Sequence, residues 1–215
     1  MRAYLFVVLL FGFSATMRAD SLHFVFRPLV NGAPLLLNQP MRLNEMSVEW
    51  QTIRLYVGGF STSNDALETY YLLGTGDEVN HFDIKLPLKV RQGDHVNYCV
   101  GVDSTTQVAG AMRGDLDPQH GMYWAWQSGY ISIKLEGKST TADGKVQNFV
   151  YHLGGYREGV CAHELFGVVD ENDQIVFAPD LGQWFADIYH ENVLHLMSPG
   201  PVGLKWFVQL FITRP

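Results

Sequence analysis

The feature that most constrains this chain is its punctuation. Apolar and polar residues alternate with a period of two over short runs, and nearly every run is bounded by Gly, Asn or Asp. Leu22, Phe24 and Phe26 fall on one face of the first run, His23 and Val25 on the other, and Asn31-Gly32 then marks a turn. Runs at 49–60, 69–73, 81–86, 94–102, 122–136, 146–153, 161–169, 174–177 and 204–212 read as strands on the same grounds. One stretch departs from the pattern. After Pro179, Asp180 can cap a helix in which Leu181, Trp184 and Phe185 share a face. Many short strands without intervening helices predict an all-β chain. The expected fold is an antiparallel β-sandwich with one short helix near 180–187.

Size and charge narrow the function. A chain of 215 residues, 47% hydrophobic, can bury a sizeable core in one domain. Charged residues make up 17% with a formal net charge of −7, and no run of Lys and Arg occurs. That balance excludes an electrostatic footprint for nucleic acid. Residues 1–19 carry Arg2, an apolar run from Tyr4 to Phe13, and the small residues Ser14, Ala15 and Ala19. This is the layout of a secretory signal peptide cut after Ala15 or Ala19, leaving 20–215 as one exported domain, periplasmic or secreted. No later stretch is long and apolar enough to span a bilayer. In an exported chain the two cysteines, Cys99 and Cys161, are expected to pair, closing a loop of about 60 residues worth about 4 kcal/mol.

Chemistry concentrates between Asp115 and Gly137, where His120, Met122, Tyr123, Trp124, Trp126 and Tyr130 lie close together. As one unbroken strand, 122–136 would put Met122, Trp124, Trp126, Tyr130, Lys134 and Glu136 on one face and Ile131, Ile133 and Leu135 on the other. The Ile/Leu side reads as core, so both tryptophans are expected on the outer face or beneath a covering loop, unless a bulge at Gly129 reverses the facing. Imidazole nitrogen, thioether sulfur and electron-rich rings suit a soft metal or an oxidant. His120 precedes the Trp strand and His152 follows an aromatic one, so pairing of the two strands would bring these histidines near each other. No G-x-S-x-G, H-E-x-x-H or glycine-rich phosphate loop occurs, and the chain does not read as an enzyme.

Several stretches together carry a family resemblance. Val102-Asp-Ser-Thr-Thr is followed by Gly114-Asp-Leu-Asp-Pro, Gly121-Met-Tyr-Trp-Ala-Trp-Gln-Ser-Gly-Tyr and Lys134-Leu-Glu-Gly. Tyr151-His-Leu-Gly-Gly and His195-x-Met-Ser-Pro-Gly come later. The chain resembles the MbnP-like family of exported copper-binding β-sandwich proteins over most of its mature length. The resemblance implies copper outside the cytoplasm. It also implies a tryptophan, here Trp124 or Trp126, oxidised to kynurenine by a MauG-type dihaem oxidase partner. It adds His23 and His195 to His120 and His152 as candidate ligands.

Two other readings use different residues. The aromatics could form the contact patch of a metal-free module that binds protein or carbohydrate. Alternatively, Asp103, Asp115 and Asp117, or Asp170, Asn172 and Asp173, could hold calcium in an adhesion-type module. Asx turns account for these acidic residues without metal.

Overall fold

The computed structural model describes residues 19–76, 80–126, 129–155 and 162–211. Strands dominate. In chain order they are β1 (Leu22–Phe26), β2 (Leu29–Val30), β3 (Ala33–Pro34), β4 (Pro40–Leu43), β5 (Met46–Ser61), β6 (Ala66–Gly74) and β7 (Asp83–Leu86). They continue with β8 (His95–Gly101), β9 (Tyr123–Trp124), β10 (Gly129–Thr140), β11 (Val146–Gly154), β12 (Ala162–Val168), β13 (Gln174–Phe177) and β14 (His195–Leu196). Helices are α1 (Ser104–Ala109), α2 (Leu181–Tyr189) and α3 (Pro201–Gln209), with 3-10 turns at Gly114–Leu116 and Pro118–His120.

The fold is the expected all-β sandwich. A nine-stranded sheet runs β12-β8-β5-β10-β11-β14, with β4 and β6 also on β5 and β9 on β10. A three-stranded sheet, β13-β1-β7, packs against it. Most pairings are antiparallel, whereas β1 with β13 and β11 with β14 run parallel. The core lies between the sheets. It joins Phe24 and Phe26 of the small sheet to Trp50, Ile53, Leu55, Ile133, Leu135, Phe149, Tyr151 and Leu153 of the large one. Strand alternation dictates this choice, since these residues fall two positions apart on their strands, save Trp50 and Ile53, which the β5–β10 register shift sets three apart. The Asn31-Gly32 turn has φ of 51° and 75°, as a two-residue hairpin between β2 and β3 requires.

The expected helix forms as α2. The Asp180 carboxylate accepts the Gln183 N–H at 2.9 Å, and Leu181, Trp184 and Phe185 are buried. Two sequence expectations are corrected. The C-terminal run 204–212, read as a strand, is helical as far as Gln209, within α3: Pro201 stands in its first turn, and Trp206 and Phe207 are both buried while Val208 is exposed. Burial of consecutive residues cannot occur on a strand with one face in the core.

The second correction concerns 122–136. It is two strands, β9 and β10, folded back with Gly129 opposite Trp124 and Tyr130 opposite Tyr123. A register shift between Ile131 and Ile133 then reverses the facing. A second, smaller core results on the other side of the large sheet. Tyr56, Leu72, Val102, Leu116, Met122, Trp124, Tyr130 and Ile131 form it beneath the 102–124 segment.

Candidate metal centre

The outer face of the large sheet carries the chemistry. Where Ile53, Leu135 and Tyr151 point into the core, their neighbours point outward. Register places Arg54, Lys134 and His152 side by side across β5, β10 and β11. The next row is Thr52, Glu136, Val150 and, across the parallel pair, His195 of β14. His152 and His195 therefore share one face as diagonal neighbours, about 7–8 Å apart by sheet geometry.

His152 is only 5% exposed and its Nε2 lies 2.8 Å from Glu136 Oε1. That contact makes Nε2–H the donor to the carboxylate and fixes the orientation of the ring. The His152 hydrogen bond draws the Glu136 carboxyl down to about 2, against the upward push of burial, and Lys134 at 3.6 Å helps. An acid whose folded value is depressed stabilises the fold above its ordinary range near 4.5. That contribution fades as pH falls toward 2. Glu136→Gln is therefore expected to cost about 1–2 kcal/mol at pH 7, the full shift being reduced by partial solvent screening. Urea midpoints of wild type and variant should draw together from about pH 5 downward and meet only as pH approaches 2.

The His120 loop is tied over this same face. Arg54 donates from Nη1 to the His120 carbonyl and from Nε to that of Thr75, and Lys134 Nζ reaches the Gly121 carbonyl at 3.4 Å. The His120 ring itself sits 3.1 Å from the Gly114 carbonyl through Nε2. His23 stands apart. It lies on the outer face of the small sheet, with Nε2 2.6 Å from Asp83 and Nδ1 accepting from Gln174 at 3.1 Å. The structure thus gathers His152, His195 and the His120 loop on one face and leaves His23 on the opposite side of the sandwich. Among the described residues, no three His, Cys, Asp or Glu side chains cluster as a preformed metal cage.

The two tryptophans take different forms of the expected placement, Trp124 beneath the covering 102–124 segment and Trp126 at the surface. Trp124 is 5% exposed in the smaller core, and its indole N–H is buried with no hydrogen-bond partner among the described residues. Trp126, at the turn after β9, is 67% exposed, and the two rings lie 6.3 Å apart. Trp124 approaches the histidine face at its far end. A methyl carbon on Gly155 would lie 2.6 Å from Pro199 Cβ and 3.6 Å from Trp124 Cζ3, so three chain segments meet there.

Other expectations resolve locally. The acidic residues of the calcium reading serve the backbone: Asp103 caps α1 through Thr106 N, Asp115 accepts the Leu72 N–H at 2.8 Å, and Asp117 caps the Pro118–His120 turn. Asp170 accepts from the N–H groups of Asn172 and Gln174. Cys99 is a half-buried free thiol opposite Glu164; its expected disulfide partner, Cys161, lies outside the described residues. Sequence reasoning did not single out Arg54, Lys134 and Glu136 as functional. Lys134 and Glu136 were visible as outward positions of β10, but only the β5–β10–β11 register reveals the row.

The fold and this face define a small β-sandwich with a carboxylate-oriented histidine on its outer surface. The family model described as MbnP matches residues 19–198, and the chain belongs to that family. No curated relative matches. Among solved structures, MbnP from Methylosinus trichosporium is similar, at 14% identity over 79% of this chain and 78% of that one, with a TM-score of 0.47. Among the described residues no helix is long and apolar enough to cross a membrane.

Proposed function

We propose that this protein is an exported copper-binding protein of periplasmic copper handling, with His152 as its principal ligand. The observation that carries the reading is the His152–Glu136 pair. A nearly buried imidazole whose Nε2–H is held by a carboxylate is the arrangement that orients metal-ligating histidines and raises their basicity. His195 shares the face and is the second ligand; His120, on the loop tethered by Arg54, is a third. His23, engaged on the other sheet, is not part of the set. When bound, copper would supply a redox-active ion beside the Trp124 end of this face. The protein's residues hold and orient it.

Trp124 is the ring to be oxidised to kynurenine in this reading. Its unsatisfied indole N–H and its contact with the Gly155–Pro199 junction favour it over Trp126. Trp126, exposed 6.3 Å away, is the surface that a dihaem oxidase would approach.

The test is copper content and affinity of protein exported in a bacterial host. A His152→Ala, His195→Ala double variant is expected to bind copper at least about 100-fold more weakly than wild type, with folding checked by circular dichroism. Unchanged affinity would remove this ligand assignment. Intact mass should begin at Asp20 or Thr16. After co-expression with the oxidase, mass mapping should show oxygen gained and one carbon lost at Trp124. An unmodified Trp124 under those conditions would end the kynurenine reading.

A further inference from the structure

We propose that β12 is an interaction edge at which a second copy of this chain adds antiparallel, joining the two large sheets across a two-fold axis. β12 ends the large sheet. It pairs with β8 on one side, and among the described residues no strand pairs with the other. One contact fixes the phase of its backbone. The Val169 N–H donates to the Asp94 carbonyl at 3.0 Å, on the β8 side, and the β8–β12 register runs without a shift. Antiparallel ladders alternate, so Gly167, Leu165 and His163 also bond to β8, while Glu164, Phe166 and Val168 turn their N–H and C=O groups to the open edge. Among the described residues, no turn, loop or side chain hydrogen-bonds to those groups. Four other edges are guarded. β14 is two residues long, β4 begins with Pro40, β7 carries Asp83 and Lys85, and β6 gives its Leu72 N–H to Asp115. β12, Ala-His-Glu-Leu-Phe-Gly-Val, has no Lys, no Pro and no bulge, and its outward Phe166 and Val168 are 68% and 50% exposed.

A second copy is the occupant because β12 is complementary to itself. Phase requires open-edge residues to face one another. A two-fold axis at Phe166 meets this, with Phe166 opposite Phe166 of the partner subunit and Glu164 opposite the partner subunit's Val168. The apolar residues then meet at the centre, and the two Glu164 residues stand about 14 Å apart along the strands. An axis at Leu165 would set Phe166 against Glu164, and an axis at Glu164 would set two carboxylates face to face, both poorer pairs. Charge is complementary at the ends. His95 lies opposite Val168 on β8, so each Glu164 has the partner subunit's His95 one strand beyond, an acid near a base. The His95 ring also leans on Phe166 at 6.1 Å and supports it from behind. The paired stretch is short, so association is expected at about 10–100 μM. β12 and β14 lie at opposite edges of the large sheet. The dimer therefore leaves the His152 face open, and the proposal does not depend on copper.

The experiment follows the full exported protein, without added metal, by sedimentation velocity from about 5 to about 500 μM, with residue-resolved hydrogen exchange at both ends of that range. Wild type is expected to pass from monomer to dimer. Phe166→Lys changes an exposed side chain and puts a charge on the edge. It is expected to weaken association at least about 100-fold and so stay monomeric, with a melting temperature within about 2 °C of wild type. In wild type the amides of Glu164, Phe166 and Val168 should exchange about three- to tenfold more slowly at the high concentration, while those of Leu165 and Gly167, bonded to β8, do not change. That alternation is the signature of strand addition, which a dimer packed face to face would not give. Three results each overturn the proposal: wild type that stays monomeric throughout, dimerisation that Phe166→Lys leaves intact, and slow exchange of the three edge amides already at the low concentration. The last would mean that another segment of this chain covers the edge.

Discussion

Trp206→Ala is expected to cost about 3–5 kcal/mol, while Val208→Ala two residues on costs under about 0.5 kcal/mol. Trp206 is fully buried, its ring meets Tyr151 edge-on at 5.2 Å, and its carbonyl accepts the Trp184 indole N–H at 2.8 Å. Removing the indole leaves a cavity between α2, α3 and β11 that rigid aromatic neighbours cannot collapse to fill. Val208 is 38% exposed on the opposite side of α3. A chain of this length shifts in melting temperature by about 2–4 °C per kcal/mol, so thermal unfolding should separate the variants by roughly 6–20 °C. Were 204–212 a strand, Trp206 and Val208 would share a face and both would cost stability. Equal losses would therefore argue for the strand.

The C-terminal misreading shows where sequence reasoning stops. The run Leu204-Lys-Trp-Phe-Val-Gln-Leu-Phe-Ile is rich in β-favouring residues, and its pattern fits either period over so short a length. Pro201, three residues before the run, is the helix-start signal in this sequence. The strands that the sequence does disclose, β1, β5, β8 and β11 among them, have one face in the core and clear turn residues at their ends. Their alternation is imposed by the core, so it is written in the residues. The 122–136 run failed for a different reason. It folds back between β9 and β10, and both halves are rich in apolar residues, so apolarity does not mark the reversal.

The candidate site was half legible. His152 and His195 could be named from residue chemistry and family resemblance, yet nothing local says that they share a face. That depends on β14 adding parallel to β11, a contact between segments more than forty residues apart in sequence. Trp124 and Trp126 were expected to behave alike because alternation treats them alike. The turn after Trp124 separates them into one buried ring and one exposed ring. Electrostatics was the least legible part, since Glu136 is remarkable only once His152 stands beside it.

Gly74→Ala is the substitution expected to do the most damage with the least added volume. Gly74 ends β6 at φ 124°, and a methyl carbon there would lie 1.8 Å from the Ile53 carbonyl oxygen. That oxygen is backbone in the middle of β5 and already accepts the Thr75 N–H at 2.8 Å, so it cannot step aside. Adding the strain of a positive φ to the overlap gives an expected loss of about 3–5 kcal/mol. The consequence reaches the site. Thr75 must follow Gly74 closely past Ile53 for Arg54 to hold the Thr75 carbonyl with Nε and the His120 carbonyl with Nη1. If the chain swings outward at 74, Arg54 loses one partner and its grip on the His120 loop loosens, while the His152–Glu136 pair on β11 and β10 is untouched. Hydrogen exchange in Gly74→Ala should accordingly rise at Thr75 and through 114–121 before it rises in β10 and β11. Uniform exchange across both regions would mean that the His120 loop is held by the smaller core alone, with no contribution from Arg54.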